Sequence, residues 1–297
     1  VTFAFAVVLW GVILRSPLAV RDVVNGMKRS EFDVVFPPPA YHTDPAKERL
    51  WRYRWLPAVS LRATIRLMLR TVVWVRNEAL HDRISAATII EGGRRALEVV
   101  EDLGSKVHIT GIDRIAAADG PVVYVGNHMS ALETFLLPAL LLPHRSATFV
   151  VKRSLVEGRM FGPIMRSLDP IAVGRKDARA DFKQVMTEGL ERLNRGVSLC
   201  IFPQTTRCLT FEPSTFNTLG EKVARKAGVP VVPIALRTDV WQHGRVIREP
   251  GRLIPERDVY MAFGPPLAAA GNPRDLHQAV IDFIGDHLAS WDVACTV

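Results

Sequence analysis

Gly126-Asn127-His128-Met129-Ser130-Ala131-Leu132-Glu133 stands between two apolar runs. Pro121 to Val125 before it reads as a buried strand, and Thr134 to Leu142 after it as a helix. A histidine and a carboxylate therefore sit where a strand ends and a helix begins, the edge at which α/β folds bind ligands. On one continuous helix a five-residue step turns through about 500°, which leaves the two side chains about 140° apart. They can meet only if His128 lies on the loop. Ser130 to Glu133 supports that placement, because it reads as a capping box with Ser130 as N-cap and Glu133 at the third helical position. Glu133 caps the helix whether or not it also reaches His128. If it does, a carboxylate on one ring nitrogen fixes the tautomer and makes the other nitrogen a better base. Such a base can take a proton from a hydroxyl or an amine.

Outward from this stretch, strands and helices alternate. Lys106 to Thr110, Ala147 to Val151, Ile171 to Val173, Val197 to Phe202, Val229 to Leu236 and Val259 to Phe263 read as further strands. Helices are expected from Ser85 to Leu103 (weakened by Gly92 and Gly93), from the Asp177 cap to Arg195, from Leu219 to Lys226, and from Asn272-Pro273 to about Ser290. The fold expected for residues 106–297 is therefore α/β, a mixed central sheet with flanking helices.

The N-terminal part has a different character. Residues 1–20 are almost wholly apolar up to Leu14, then meet Arg15 and Pro17, and read as an interfacial or partly inserted anchor rather than a signal peptide. Residues 21–50 hold the proline-rich stretch Phe36 to Pro45, a linker or an extended arm. Residues 51–105 begin with a run from Trp51 to Arg76 that has six arginines and no acidic residue. Arg62, Arg66 and Arg70 share a helical row, with Leu61, Ile65, Met68, Leu69, Val72 and Val73 largely opposite, and Trp51, Trp55 and Trp74 at the ends. That pattern reads as helices docking on an anionic membrane surface. The net charge of +8 also asks for an anionic partner, but no nucleic-acid motif accompanies it. Cys200, Cys208 and Cys295 lack CxxC spacing, and the histidines form no HxxxH pair, so no metal site is expected.

Three more stretches carry polar residues at the strand ends or shape the wall beside them. Phe202-Pro203-Gln204-Thr205-Thr206-Arg207 releases hydroxyls, an amide and a guanidinium into a turn, and Arg207 there could hold a phosphate bidentately. Val173-Gly174-Arg175-Lys176 does the same with two cations. Val229 to Pro233 is apolar and shapes a wall. With Asn127-His128 and Glu133, these blocks in this order resemble the lysophospholipid acyltransferase family, whose pattern is N-H-x-x-x-x-D, an Arg after a strand, F-P-E-G-T-R, and V-P-V-x-P. The resemblance runs from about Val107 to Leu267.

The resemblance implies transfer of an acyl group from a thioester of coenzyme A or acyl carrier protein to the free hydroxyl of a lysophospholipid, with 1-acylglycerol-3-phosphate as the default acceptor and no cofactor. It implies His128 and Glu133 as the catalytic pair, with Asn127, Arg175, Gln204, Thr205, Thr206 and Arg207 as substrate-binding residues. It also implies association with a membrane, at the cytoplasmic face of the inner membrane. Glu133 stands for the usual Asp, Gln204 for a Glu and Thr205 for a Gly. The last two changes leave open a lyso-aminolipid acceptor, or a lysolipid-binding homologue with weak catalysis.

Overall fold

The computed structural model describes residues 35–45, 58–204, 206–241, 251–255 and 257–293. The apolar segment 1–20, Trp51, Trp55, Thr205 and Cys295 lie outside them. An eight-stranded mixed sheet runs through the chain in the order β1-β2-β8-β7-β3-β6-β4-β5. Its strands are β1 (Ala40–His42), β2 (Val107–Thr110), β3 (Val123–Gly126), β4 (Ala147–Lys152), β5 (Ile171–Val173), β6 (Ser198–Ile201), β7 (Val231–Arg237) and β8 (Val259–Phe263). β7, β3, β6, β4 and β5 are parallel, and β8 is antiparallel to β7. The short edge strand β1 falls inside the stretch read as a linker or an extended arm, and pairs antiparallel with β2.

Two layers of helices cover the sheet. One face packs against α1 (Ala58–Leu67), α2 (Trp74–Leu80), α3 (Ala86–Asp102) and α4 (Glu133–Leu141), with Tyr124, Cys200, Ile234 and Leu236 beneath them. Between β4 and β5 lie the short helices α5 (Arg153–Glu157) and α6 (Gly162–Ser167). The other face packs against α7 (Ala178–Asn194), α8 (Leu219–Ala227) and α9 (Pro273–Ser290), with Val123, Val125, Leu199 and Ile201 beneath. Strand alternation explains the division, since Tyr124 points to one layer and Val123 and Val125 to the other. After β3 the chain enters α4 on the first face, whereas after β6 it enters α8 on the second. The end of β3 thus lies where helices diverge, the crevice that α/β sheets use for ligands.

Gly92 and Gly93 do not interrupt α3, which is continuous. A β-carbon on Gly93 would come within 2.2 Å of the Ala139 Cβ and 2.9 Å of the Phe135 carbonyl oxygen. The glycine that lowers helix propensity is what lets α3 and α4 touch backbone to backbone.

The arginine row behaves differently from its reading as a membrane-facing stripe. The helix from Ala58 to Leu80 contains a π-helical turn at Met68–Val73. Its buried residues are Ser60, Thr64, Leu67, Thr71, Val72 and Val75. Arg66 pairs with Asp102 at 2.7 Å and Arg70 with Glu98 at 3.8 Å, both on α3. Half-exposed pairs of this kind are worth about 0.2–1 kcal/mol each, so they direct the side chains more than they stabilise the fold. Trp74 is also taken up internally, with the Arg95 guanidinium 3.7 Å from its ring centroid. The helix leaves outward Arg62, Arg70, Asn77 and the apolar side chains of Ile65, Leu69, Val73 and Leu80. No helix among the described residues is long and apolar enough to cross a membrane.

Candidate active site

β3 ends at Gly126, and Asn127 extends its ladder by side chain alone. Its Nδ2 donates to the Leu236 carbonyl at 2.7 Å, and the Leu236 N–H donates to its Oδ1 at 2.8 Å. Asn127 is buried. The sequence placed it among the substrate-binding residues. In the structure it is a clip that fastens the loop to β7, with its amide spent on backbone.

The clip delivers His128 to the crevice, and the loop after β6 then fixes the histidine's main chain. The His128 N–H donates to Gln204 Oε1 at 2.9 Å, and the His128 carbonyl accepts from the Cys208 N–H at 2.9 Å. The ring stacks on Phe202, with centroids 4.4 Å apart and planes at 14°. Gln204 is buried, so its expected role as a contact for substrate changes to one of holding the His128 peptide. A glutamate oxygen could accept the same N–H, which explains why the neutral amide is tolerated here. Thr206 is exposed, and its hydroxyl lies 3.8 Å from the Cys208 sulfur.

His128 Nδ1 forms a short hydrogen bond with Glu133 Oε2. The loop placement of His128 therefore does bring the pair together. The capping box forms only in part. Glu133 Oε1 accepts from the Ser130 N–H at 3.0 Å, as the box requires, and also from Met129 N–H at 2.8 Å. Ser130 Oγ, however, accepts from Leu132 N at 3.1 Å rather than from Glu133 N, because α4 starts only at Glu133. Glu133 is fully buried. Burial pushes its carboxyl up, but the His128 charge and the hydrogen bonds from His128, Thr238 and the Ser130 backbone outweigh that and hold it below the ordinary carboxylate range. It is therefore an ionised acceptor at neutral pH, and Nδ1 carries the proton.

The contact at the second ring nitrogen agrees with that tautomer. Arg207 Nε–H donates to His128 Nε2 at 3.3 Å, which requires a lone pair there. Arg175 lies within electrostatic reach of Arg207. Burial and then the Arg207 charge hold its guanidinium below the ordinary arginine range. Two cations that repel each other are both stabilised by an anion bound near them. Arg175 is aimed by an unusual backbone, with φ at 59°. The Asp181 carboxylate keeps it there by accepting from the Gly174 N–H at 2.9 Å and the Arg175 N–H at 2.7 Å. His128, Glu133, Arg175 and Arg207 thus meet at one sheet edge, from the ends of β3, β5 and β6. No group of histidine, cysteine and acidic residues among the described residues could hold a metal ion. Burial and the Glu133 charge push the Cys200 thiol up, so that it stays neutral.

Sequence reasoning missed Thr238. Its hydroxyl donates to Glu133 Oε1 and accepts from Ser130 Oγ at 2.9 Å. The only signal was a hydroxyl placed just beyond the apolar run of the strand beside β3.

Comparison with known proteins agrees with this geometry. Residues 106–237 match the family model described as Acyltransferase. The 1-acyl-sn-glycerol-3-phosphate acyltransferase of Pseudomonas aeruginosa is 29% identical over 191 residues, 63% of this chain and 70% of that protein. The chloroplastic 1-acyl-sn-glycerol-3-phosphate acyltransferase LPAT1 of Arabidopsis thaliana is 31% identical over 131 residues, which is 44% of this chain and only 36% of that protein. The crystal structure of the 1-acyl-sn-glycerophosphate (LPA) acyltransferase PlsC from Thermotoga maritima superimposes with a TM-score of 0.58 at 18% identity, covering 78% of this chain and 98% of that one. That likeness concerns the fold. The segment similar to the Acyltransferase family, residues 106–237, carries His128, Glu133, Arg175 and Arg207.

Proposed function

We propose that the enzyme transfers an acyl group from a coenzyme A or acyl carrier protein thioester to the free hydroxyl of 1-acylglycerol-3-phosphate. The observation that carries this reading is the His128–Glu133 pair with the Arg207 guanidinium on its free ring nitrogen and the Arg175 charge within electrostatic reach of Arg207. That combination suits an acceptor with both a hydroxyl to deprotonate and a phosphate to hold. The hydroxyl takes the place that Arg207 Nε fills beside His128 Nε2, and Arg207 turns to the phosphate together with Arg175. As Nε2 takes the hydroxyl proton, the oxygen attacks the thioester carbonyl and the C–O bond forms. The C–S bond then breaks, and the thiolate leaves with the proton returned from His128. Glu133 stabilises the imidazolium between these steps.

Arg207→Ala tests the acceptor. Losing a hydrogen bond to a charged group costs about 1.5–3 kcal/mol, so the KM for lysophosphatidic acid should rise roughly 10- to 150-fold. A lysolipid acceptor without an accessible phosphate should show little change. Equal effects on both acceptors mean that Arg207 does not read the phosphate. A panel of lysolipids assayed with both thioester donors identifies the substrate pair. A chain that binds lysolipid but transfers nothing from either donor has the weakly catalytic alternative as its function. The intact base pair argues against that alternative.

The membrane contact also changes in character. Arg66 and Arg70 pair with α3, and the exposed apolar side chains Ile65, Leu69 and Val73, at 49%, 59% and 37%, support a contact with lipid through this stripe. Apolar residues of this size gain about 1.5–3 kcal/mol each when fully buried. Ile65→Asp with Leu69→Asp should therefore lower binding to anionic vesicles at least tenfold in sedimentation, with thermal stability nearly unchanged. Unaltered sedimentation removes this stripe from the membrane contact.

A further inference from the structure

We propose that Thr238 is a positioning residue of the transfer reaction, holding the Glu133 carboxylate in the orientation that keeps the proton on His128 Nδ1 and the lone pair on Nε2. This rests on His128 acting as the base. Thr238 lies one residue beyond the segment that matches the acyltransferase family, and 105 positions from Glu133. Strand alternation explains how it arrives. The Asn127 clip sets the register of β7 beside the β3 loop, with Leu236 in the core under α4. Arg237 points to the opposite face, where it lies over the Tyr260 ring. Thr238 returns to the Leu236 side, fully buried, next to Glu133.

The direction of each proton follows from chemistry. An ionised carboxylate only accepts, so Thr238 must donate to Oε1. With its proton used, Thr238 can only accept from its other neighbour, so Ser130 Oγ–H donates to it. Ser130 in turn accepts from Leu132 N–H at 3.1 Å. Oε1 thereby collects three donors, Met129 N–H, Ser130 N–H and the Thr238 hydroxyl, while Oε2 is left with the His128 ring. A carboxylate accepts about four hydrogen bonds, so this one is close to saturated and has little freedom to rotate or take a proton. The two backbone donors alone come from one side of the loop. Thr238 supplies the donor from β7, and so prevents the carboxylate from tilting away from the ring.

Other charges face the pair. Arg207 touches Nε2 from the loop after β6, Arg175 on the loop after β5 is within electrostatic reach of Arg207, and Cys200 on β6 is a neutral thiol. Asp239, next in sequence, is engaged by Arg257. None of these contacts is made by the Thr238 hydroxyl, whose partners are Glu133 Oε1 and Ser130 Oγ, so its removal leaves these charges in place.

The test compares Thr238→Val, which keeps the shape and removes the hydroxyl, with Thr238→Ser, which keeps the hydroxyl. Both are made in the full chain and assayed with acyl-CoA and lysophosphatidic acid. Thr238→Val should lower kcat about 10- to 100-fold, the scale of one hydrogen bond to a charged group, with a smaller change in KM. The acid limb of its kcat/KM profile should move to higher pH. A less solvated Glu133 carboxylate holds its own proton and the imidazolium proton more tightly, and both effects act in that direction. Thr238→Ser should restore kcat and the limb. A Thr238→Val enzyme with unchanged kcat and limb overturns the proposal, as does a Thr238→Ser enzyme equally impaired. A fall in melting temperature alone marks Thr238 as merely structural. If the parent chain transfers no acyl group, the functional reading fails separately. The nitrogen-15 shifts of His128 then decide the positioning claim, through Nδ1–H in the parent and a mixture of tautomers in Thr238→Val. An unmixed Nδ1–H tautomer in that variant overturns the claim.

Discussion

Replacing His128 with alanine should lower kcat by about two to four orders of magnitude, the usual contribution of a positioned general base. The fold should survive the change, because the loop is held by main chain. The N–H at position 128 still donates to Gln204, and its carbonyl still accepts from Cys208. Phe202 loses the ring stacked on it, which costs modest stability. Glu133 changes more. The His128 charge and hydrogen bond are two of the factors holding its carboxyl low, and without them burial dominates and raises it. Lysophosphatidic acid binding should persist, since Arg175 and Arg207 are untouched. Thiol release from acyl-CoA, followed with and without acceptor, measures the effect. Turnover within a few-fold of the parent removes His128 from the mechanism.

The pair at the centre of that experiment was legible in the sequence because both partners sit in one short loop. Strand, loop and helix periods are local, and so is the geometry that lets a five-residue step close on itself. Arg175 and Arg207 were legible for the same reason, as residues released at strand ends. What escaped depends on contacts made far along the chain. Gln204 reads as a substrate contact until the His128 peptide is seen against it, 76 residues away. Asn127 reads as a site residue until Leu236 claims both ends of its amide. The arginine row reads as a face for anionic lipid until α3 presents Glu98 and Asp102 to it. Helical periodicity shows which residues share a face but not what that face meets. Here, among the residues read as the apolar side, Val72 is buried while Ile65, Leu69 and Val73 are exposed, and a π-helical turn at Met68–Val73 falls among them.

Glu133→Gln should be almost as damaging to kcat as the loss of His128, and for a reason that follows from counting donors. Oε1 accepts from Met129 N–H, Ser130 N–H and the Thr238 hydroxyl, and Oε2 from the His128 ring. A glutamine has one oxygen and one NH2 for these two places. With the NH2 toward Thr238, three buried donors lose their acceptor, at about 1–3 kcal/mol each. The amide oxygen therefore stays with them, and the NH2 faces His128 Nδ1. An NH2 can only donate, so Nδ1 must present its lone pair and the proton moves to Nε2. That tautomer cannot accept a hydroxyl proton, and its N–H points at the Arg207 N–H that now bonds Nε2 at 3.3 Å. In a serine protease triad the equivalent wrong-tautomer change lowers kcat about 10⁴-fold, which is the upper limit of the fall expected here. The fold should be retained, and on acidification the variant should lose less stability than the parent. The Glu133 carboxyl is held below its unfolded value, so its contribution is present above the unfolded carboxylate pKa and is lost as pH falls through the folded one. Glutamine has no such group. Glu133→Asp keeps the charge but is one methylene shorter, so it cannot hold His128 and Thr238 from the same backbone position. Its kcat should fall between the two. A Glu133→Gln enzyme with kcat within tenfold of the parent means that the tautomer is set by something other than this carboxylate.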